Sequence, residues 1–239
     1  WDHNFIRKVT PGRDDIPSIL ETSSISTSHK PYMTVSPVDG RLYISDYMKY
    51  RIIRIATMGP VKDLKSNYEV VAGTGEECPP MSLDKCGDGK LAKSARLIRP
   101  KGIAISKDGI IYIADNLNIR QITPDGKIQT LINSEAQSMA WEPMACGTSQ
   151  SADKVRLQWP TDLAIDPLDD TLHILDKNVI MKMTKDRNLI TIAGRSINCP
   201  INTPDFLPSG VLPDNDQASG MAIDVTLVNP QSIAFGNQG

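Results

Sequence analysis

The sequence predicts an all-β fold, a β-propeller of four-stranded antiparallel blades. One observation behind this is a repeat. Residues 98–132 and 158–192 register on one another from Pro100 on Pro160, with a one-residue adjustment in a single turn. A second is the texture of each copy, in which runs of four to six residues rich in Ile, Val and Tyr alternate with turns of two to four. A third is composition: 40% apolar residues are too many for a disordered chain, and 16 Gly with 17 Pro suit many short elements joined by turns.

Residues 1–22 carry only the second half of a unit, since NFIRKVTPGRDDIPSIL matches NIRQITPDGKIQTLI. The first whole blade is predicted over 29–74, opening at Pro31 with PYMTVSPVDGRLYISDYMKYRIIRI. The second, over 98–133, reads GIAIS, turn KDG, IIYIAD, IRQIT, turn PDG and IQTLI. In the third, over 158–194, Leu163, Ala164 and Ile165 fall on Ile103, Ala104 and Ile105, and Asp176 falls on Asp115. Residues 228–239 open a further unit at Pro230. Several runs are apolar on both faces, as strands sandwiched between neighbouring sheets would be. Four such strands make a blade, and blades bury one another face to face. Residues 1–239 therefore read as one propeller fragment, a partial ring of three whole blades with a part-blade at each end. Open sheet edges invite aggregation, so the ring is expected to continue before Trp1 and after Gly239.

Long connections rich in Gly, Pro, Asp and Ser lie at 73–98, 133–157 and 194–228, with a helical turn expected near 90–95. In a meander these loops and the turns after Asp46, Asp115 and Asp176 should crowd one face. The unit at 98–133 ends in QTLINS where the others have Ala-Gly, so its exit is expected to differ.

The cysteines are Cys78, Cys86, Cys146 and Cys199, with no CxxC, which argues against a zinc ribbon or thioredoxin-type pair. Four cysteines allow three connectivities. Closure of the local Cys78–Cys86 loop is the simplest, leaving Cys146 to pair with Cys199 across the rim of the 158–194 blade. Four free thiols in a cytosolic protein is the alternative. All four lie in polar, turn-rich segments and not in apolar strands, which favours bridges and an oxidising compartment.

The formal net charge of −2 gives no basic footprint for nucleic acid. No stretch approaches the 18 consecutive apolar residues of a bilayer span, and no leader or transit segment is expected within residues 1–239, so any targeting signal is expected outside them. Gly73-Thr74-Gly75 and Gly87-Asp88-Gly89 lack the flanking pattern of a phosphate loop and read as turns. There is no GxSxG and no N-x-[ST] sequon. His3, His29 and His173 stand at unrelated positions of the repeat; His173 takes the slot of Tyr43 and Tyr112 and reads as a packing residue. Asp46, Asp115 and Asp176 end each second strand and read as turn-fixing acceptors, since a divalent ion needs six or more converging oxygens. Arg51, Arg54, Lys101, Arg120 and Lys127 read as solvated strand faces. No catalytic, cofactor-binding or metal-binding residue is assigned.

The stretches VAGTG at 71–75, CGDGKLAKSARLIRPKGIAISKDGIIYIAD at 86–115 and NIRQITPDGKIQTL resemble NHL repeats. YEVVAGTGEEC with its paired cysteine and VRLQWPTDLAIDPLDDTLHILDKNVIMKM are similar to the NHL propeller of the teneurin family, over nearly the whole chain. That resemblance implies a ring usually of six blades in the extracellular part of a single-pass type II membrane protein. It implies cell–cell adhesion and partner matching between neurons, with no enzymatic role. Expected partners are another teneurin chain or another cell-surface receptor. Nucleic acid is not expected, and membrane only through a helix outside this segment. Recognition is expected from the loops 76–90, 134–153 and 196–219 and from exposed edges of the outer strands, carried on a rigid sheet scaffold.

A second reading is a metal-dependent lyase or lactonase-like enzyme, with His and acidic ligands converging in the central channel. The first strands YMTVS, GIAIS, DLAID and SIAFG are mostly apolar and offer no repeated His for it. RNA binding by an intracellular propeller is disfavoured by charge and cysteines.

Overall fold

The computed structural model describes residues 5–25, 31–79, 82, 85–133, 149–194, 222 and 227–236. Strands β1 (Phe5–Arg7) and β2 (Ser18–Glu21) form an antiparallel pair. The next sheet is a meander of β3 (Tyr32–Val35), β4 (Leu42–Asp46), β5 (Arg51–Ile55) and β6 (Tyr68–Ala72). The second meander holds β7 (Pro100–Ile105), β8 (Ile111–Asp115), β9 (Asn118–Ile122) and β10 (Ile128–Asn133). A short β11 (Ser149–Ser151) precedes β12 (Pro160–Ile165), β13 (Leu172–Asp176), β14 (Val179–Met183) and β15 (Asn188–Ala193). The fold is all-β and propeller-like.

β-Branched runs make these strands, and the turns set their pairing. β8 and β9 are joined by Asn116-Leu117, and β13 and β14 by Lys177-Asn178, with φ of 58° at Asn116 and 54° at Lys177. Left-handed backbone at the first turn residue matches the twist of a two-residue hairpin. The β4–β5 connection is longer, a 3-10 turn over Tyr47–Lys49 closed by Tyr50 at φ 47°.

The sheets stack through their first strands, with β7 lying between β3 and β12. All six residues of β7 and all five of β13 are buried. Neighbours on one strand serve opposite sheets. Ile113 joins Tyr43, Ile52 and Ile103 in one core, while Ala114 joins Leu163, Ile174 and Met181 in the next. This two-sided burial explains the runs that lack period-2 alternation. Each fully buried Ile removes enough apolar surface to contribute about 1.5–3 kcal/mol.

Two features differ from the sequence expectation. The connection 73–98 does not stay on one face. It runs along the outer edge of β10 to the far turn, where Leu91 bridges Lys127 and Ala92 N–H donates to the Gly126 carbonyl at 2.8 Å. The equivalent stretch before the third meander adds β11 to the outer edge of β15, giving five strands where four were expected. Ala152 N–H donates to Arg187 at 2.9 Å, matching Ala92 to Gly126. Ala92, Ala95 and Leu97 are buried, and so are Ala152, Val155 and Leu157. The described closing residues of these two connections, 89–98 and 149–157, thus belong to the repeat and cover a sheet edge that would otherwise be free to pair.

The second difference concerns the basic residues. Arg120 is 2% exposed and Lys101 9%, so neither lies on a solvated face. Stacked sheets leave only the ends and outer edges of each blade wet; Lys101 lies against Trp159 of the next blade, and Arg120 is covered by Asp88 of the 76–90 loop.

Candidate functional site

The turns after β4, β8 and β13 share the end of the blades where the recurring aspartates sit. Asp115 Oδ1 accepts the backbone N–H groups of Ile98 and Arg99, both at 2.8 Å. Asp176 accepts those of Gln158, at 2.9 Å to Oδ2, and of Trp159. Each carboxylate therefore anchors the chain entering its own blade. Burial pushes the Asp176 carboxyl up, while the two amides oppose the shift. Asp46 accepts from Arg51 Nε at 2.9 Å. Each aspartate is thus engaged within its own blade. Among the described residues no three His, Cys, Asp or Glu side chains converge to hold a metal.

Cys78 is disulfide-bonded to Cys86, with Cα atoms 5.7 Å apart. The bridge closes a loop that two further contacts fix. Cys78 N–H donates to the Leu97 carbonyl at 2.9 Å. Asp88 accepts from Arg120 Nη2 at 2.8 Å and from Thr130 N–H and Oγ1 at 3.1 Å. Arg120 Nη1 also lies 3.7 Å from Asp115, so one buried guanidinium joins the loop to the blade's anchoring aspartate. The Tyr50 hydroxyl reaches across to Glu77 at 3.1 Å, and Glu77 also faces Arg99. Cys146, Cys199, His3 and His29 lie outside the described residues, as do most of 134–153 and all of 196–219.

His173 is 2% exposed on β13, edge-to-face with Phe235 at 4.7 Å between ring centroids. Its Nδ1 is 3.3 Å from the Thr171 carbonyl, and burial lowers its pKa. It packs between elements, as the tyrosines in its slot suggested.

Sequence reasoning missed a second cluster on this end. Trp159 stands immediately before Pro160, where Arg99 stands before Pro100, and both carbonyls accept from the adjacent hairpin, Lys177 N–H at 3.1 Å and Asn116 N–H at 3.3 Å. Lys101 Nζ sits 3.6 Å from the centroid of the Trp159 ring. Burial, with Arg99 adding to it, pulls the Lys101 ammonium down to about 8. The one available signal was that Trp159 replaces a charged residue at a repeated position.

Comparison with known proteins follows the same repeat. The family model described as the teneurin NHL domain matches residues 1–239. Teneurin-m of Drosophila melanogaster is 40% identical over 239 residues, covering 100% of this chain and 8% of that protein. Teneurin-3 of Mus musculus is 41% identical over 244 aligned positions, again covering 100% of this chain and 8% of the relative. The chain thus spans about 8% of the length of these relatives. Among solved structures, a protein of unknown function from Bacteroides thetaiotaomicron superposes with a TM-score of 0.51 at 17% identity, over 79% of this chain and 42% of that one. An auxiliary nutrient binding protein from the same bacterium gives 0.51 at 15% identity, over 80% and 43%. These two likenesses concern the fold alone. The full-length family match and the two relatives together show that the chain belongs to the teneurin family and corresponds to its NHL domain.

Proposed function

We propose that the chain is a protein-recognition module of a transmembrane cell-adhesion protein, displayed on the extracellular side of the plasma membrane. Its partner is another teneurin chain or another cell-surface receptor, and its role is contact between neurons and the matching of synaptic partners. In this reading the propeller carries out no chemistry of its own. The observation that carries it is the family match along all 239 residues. The fold supports it physically. Stacked sheets give a stiff scaffold, and the loop 76–90 is held to it by the Cys78–Cys86 bridge and by Asp88. Residues held in this way before binding lose less conformational entropy on contact. Weak individual contacts gain from many copies on apposed membranes.

The test is cell aggregation by the intact protein with charge reversals placed in the loops 76–90, 134–153 and 196–219, one loop at a time. Loss of aggregation for at least one loop is the expected result. Undiminished aggregation for every loop removes the proposal.

A further inference from the structure

At the junction of the second and third meanders, cations surround a half-exposed indole. Trp159 is 50% exposed, although tryptophan is among the side chains that gain most from cover. Lys101 stands over one region of its ring and is 9% exposed, with no hydrogen bond or ion pair among the described residues. A desolvated ammonium without a counter-ion is costly, and an aromatic face offsets only part of that cost. Beside the indole opens a cleft of about 620 Å³, lined by Leu117, Arg156, Leu157, Gln158, Trp159 and Lys177. Arg156 and Lys177 are exposed, and none of the six lining residues is acidic. Of the described acids at this end, Asp115 and Asp176 are buried, and the exposed Glu77 already has partners. Asp115 and Asp176 hold backbone amides, and Glu77 is engaged by Tyr50 and Arg99.

The geometry points to a docking site here for an acidic segment of a partner protein, with carboxylates meeting the exposed Arg156 and Lys177, the buried Lys101 adding positive charge behind the indole, and an apolar side chain entering the cleft against Trp159, Leu117 and Leu157. The inference rests on the recognition reading and gives it a partner chemistry. Charge complementarity selects the occupant. The chain as a whole carries a net charge of −2, so attraction of an acidic partner must come from this local surplus of cations. The apolar floor favours a peptide over a sulfated polysaccharide. A sulfated chain presents regularly spaced anions and no apolar side chain to fill a cleft of indole and leucine.

The experiment uses the intact protein and an immobilised synthetic peptide of alternating Glu and Phe. A peptide with Gln for Glu and a heparin surface run beside it. The Glu peptide binds, weakens as salt rises, and loses about tenfold or more in affinity in Lys101→Met, in Arg156→Glu and in Trp159→Ala. Lys185→Glu, an exposed cation on another turn, leaves the affinity unchanged. Arg156 and Trp159 are exposed, so their variants report even where Lys101→Met disturbs folding. Equal binding of the Gln peptide overturns the site, and so does wild-type affinity in Arg156→Glu and Trp159→Ala. Heparin binding lost in Arg156→Glu but kept in Trp159→Ala assigns the patch to a sulfated glycan and also overturns it. Cell aggregation is scored on the same proteins. Wild-type aggregation without peptide binding removes the site alone, and peptide binding without aggregation removes the adhesion reading alone.

Discussion

Gly102 on β7 lies directly against Asp162, its counterpart on β12, and a Cβ on Gly102 would fall inside contact distance of the Asp162 Cα and 2.7 Å from the Leu163 nitrogen. The two positions are the third residues of their units, counted from Pro100 and Pro160. Missing side-chain volume at one lets the first strands of adjacent blades approach. Asp162 then reaches the following segment, accepting from Ser232 Oγ at 2.6 Å and Ile233 N–H at 3.1 Å. Gly102→Ala forces backbone atoms apart, and overpacking of this kind costs about 1–3 kcal/mol or more. Gly59→Ala, with nothing within 4 Å of the added carbon, should be neutral within about 0.5 kcal/mol. Chemical denaturation of both variants measures the difference, and equal midpoints would contradict the close approach.

Arg120 is the buried link between a loop and a blade. Its guanidinium meets Asp88 at 2.8 Å and Asp115 at 3.7 Å, while Met181 occupies the same register position in the next meander. Arg120→Met therefore fits the fold's own geometry but leaves two carboxylates without their cation. Breaking one side of a buried pair costs about 3–5 kcal/mol. The loss should show in unfolding and also locally, as faster amide exchange at Gly89, whose N–H donates to the Ile128 carbonyl at 2.8 Å. Unchanged exchange at Gly89 would mean that the disulfide alone holds the loop.

The disulfide itself can be tested separately. Cys78 and Cys86 are eight residues apart, and the chain-entropy estimate for closing so short a loop is about 2.5 kcal/mol. Replacing both cysteines with serine should lower stability by roughly that amount and leave the spectroscopic signature of the sheets unchanged. Mass spectrometry of non-reduced peptides reads the pairing directly. A peptide joining Cys78 to any partner other than Cys86 would require a different loop path.

The meanders were legible in the sequence because their signals are local. β-Branched runs, Asp-Gly turns and the prolines at 100 and 160 recur at fixed spacing. Asp115 and Asp176 were legible as turn acceptors for the same reason. The edge-covering segments were not, because LAKSARL and SADKVRL share spacing of small and apolar residues more than identity. Ala92 and Ala152 are buried where the backbone N–H pairs with the neighbouring turn, and Leu97 and Leu157 are buried at the far end of the segment. Arg120 and Lys101 escaped sequence reading because a charged residue in a strand normally marks a wet face. Lys101 is covered by Trp159 of the next blade and Arg120 is engaged by Asp88, 32 residues earlier, and no local window along the chain contains either contact.

His173 carries the clearest pH dependence. It opposes Ala164 across β12 and β13, as Tyr112 opposes Ala104 and Tyr43 opposes Thr34 in the other sheets. The unfolded imidazole titrates near 6.5, and burial lowers that value in the fold. Between the two values the unfolded chain binds a proton that the folded chain refuses. Stability is therefore full above about 6.5, falls as pH drops through that value, and reaches its new level below the folded pKa. Asp162 and Asp176 have pKa values raised by burial, which gives the opposite sign: protonation favours the fold, and stability is lost as pH rises through their folded values. A direct comparison of wild type with His173→Tyr cancels those carboxylates and isolates the imidazole. The tyrosine variant should show a shallower decline in unfolding free energy between pH 7 and 5. Parallel pH profiles would show that His173 takes up its proton without leaving its place against Phe235.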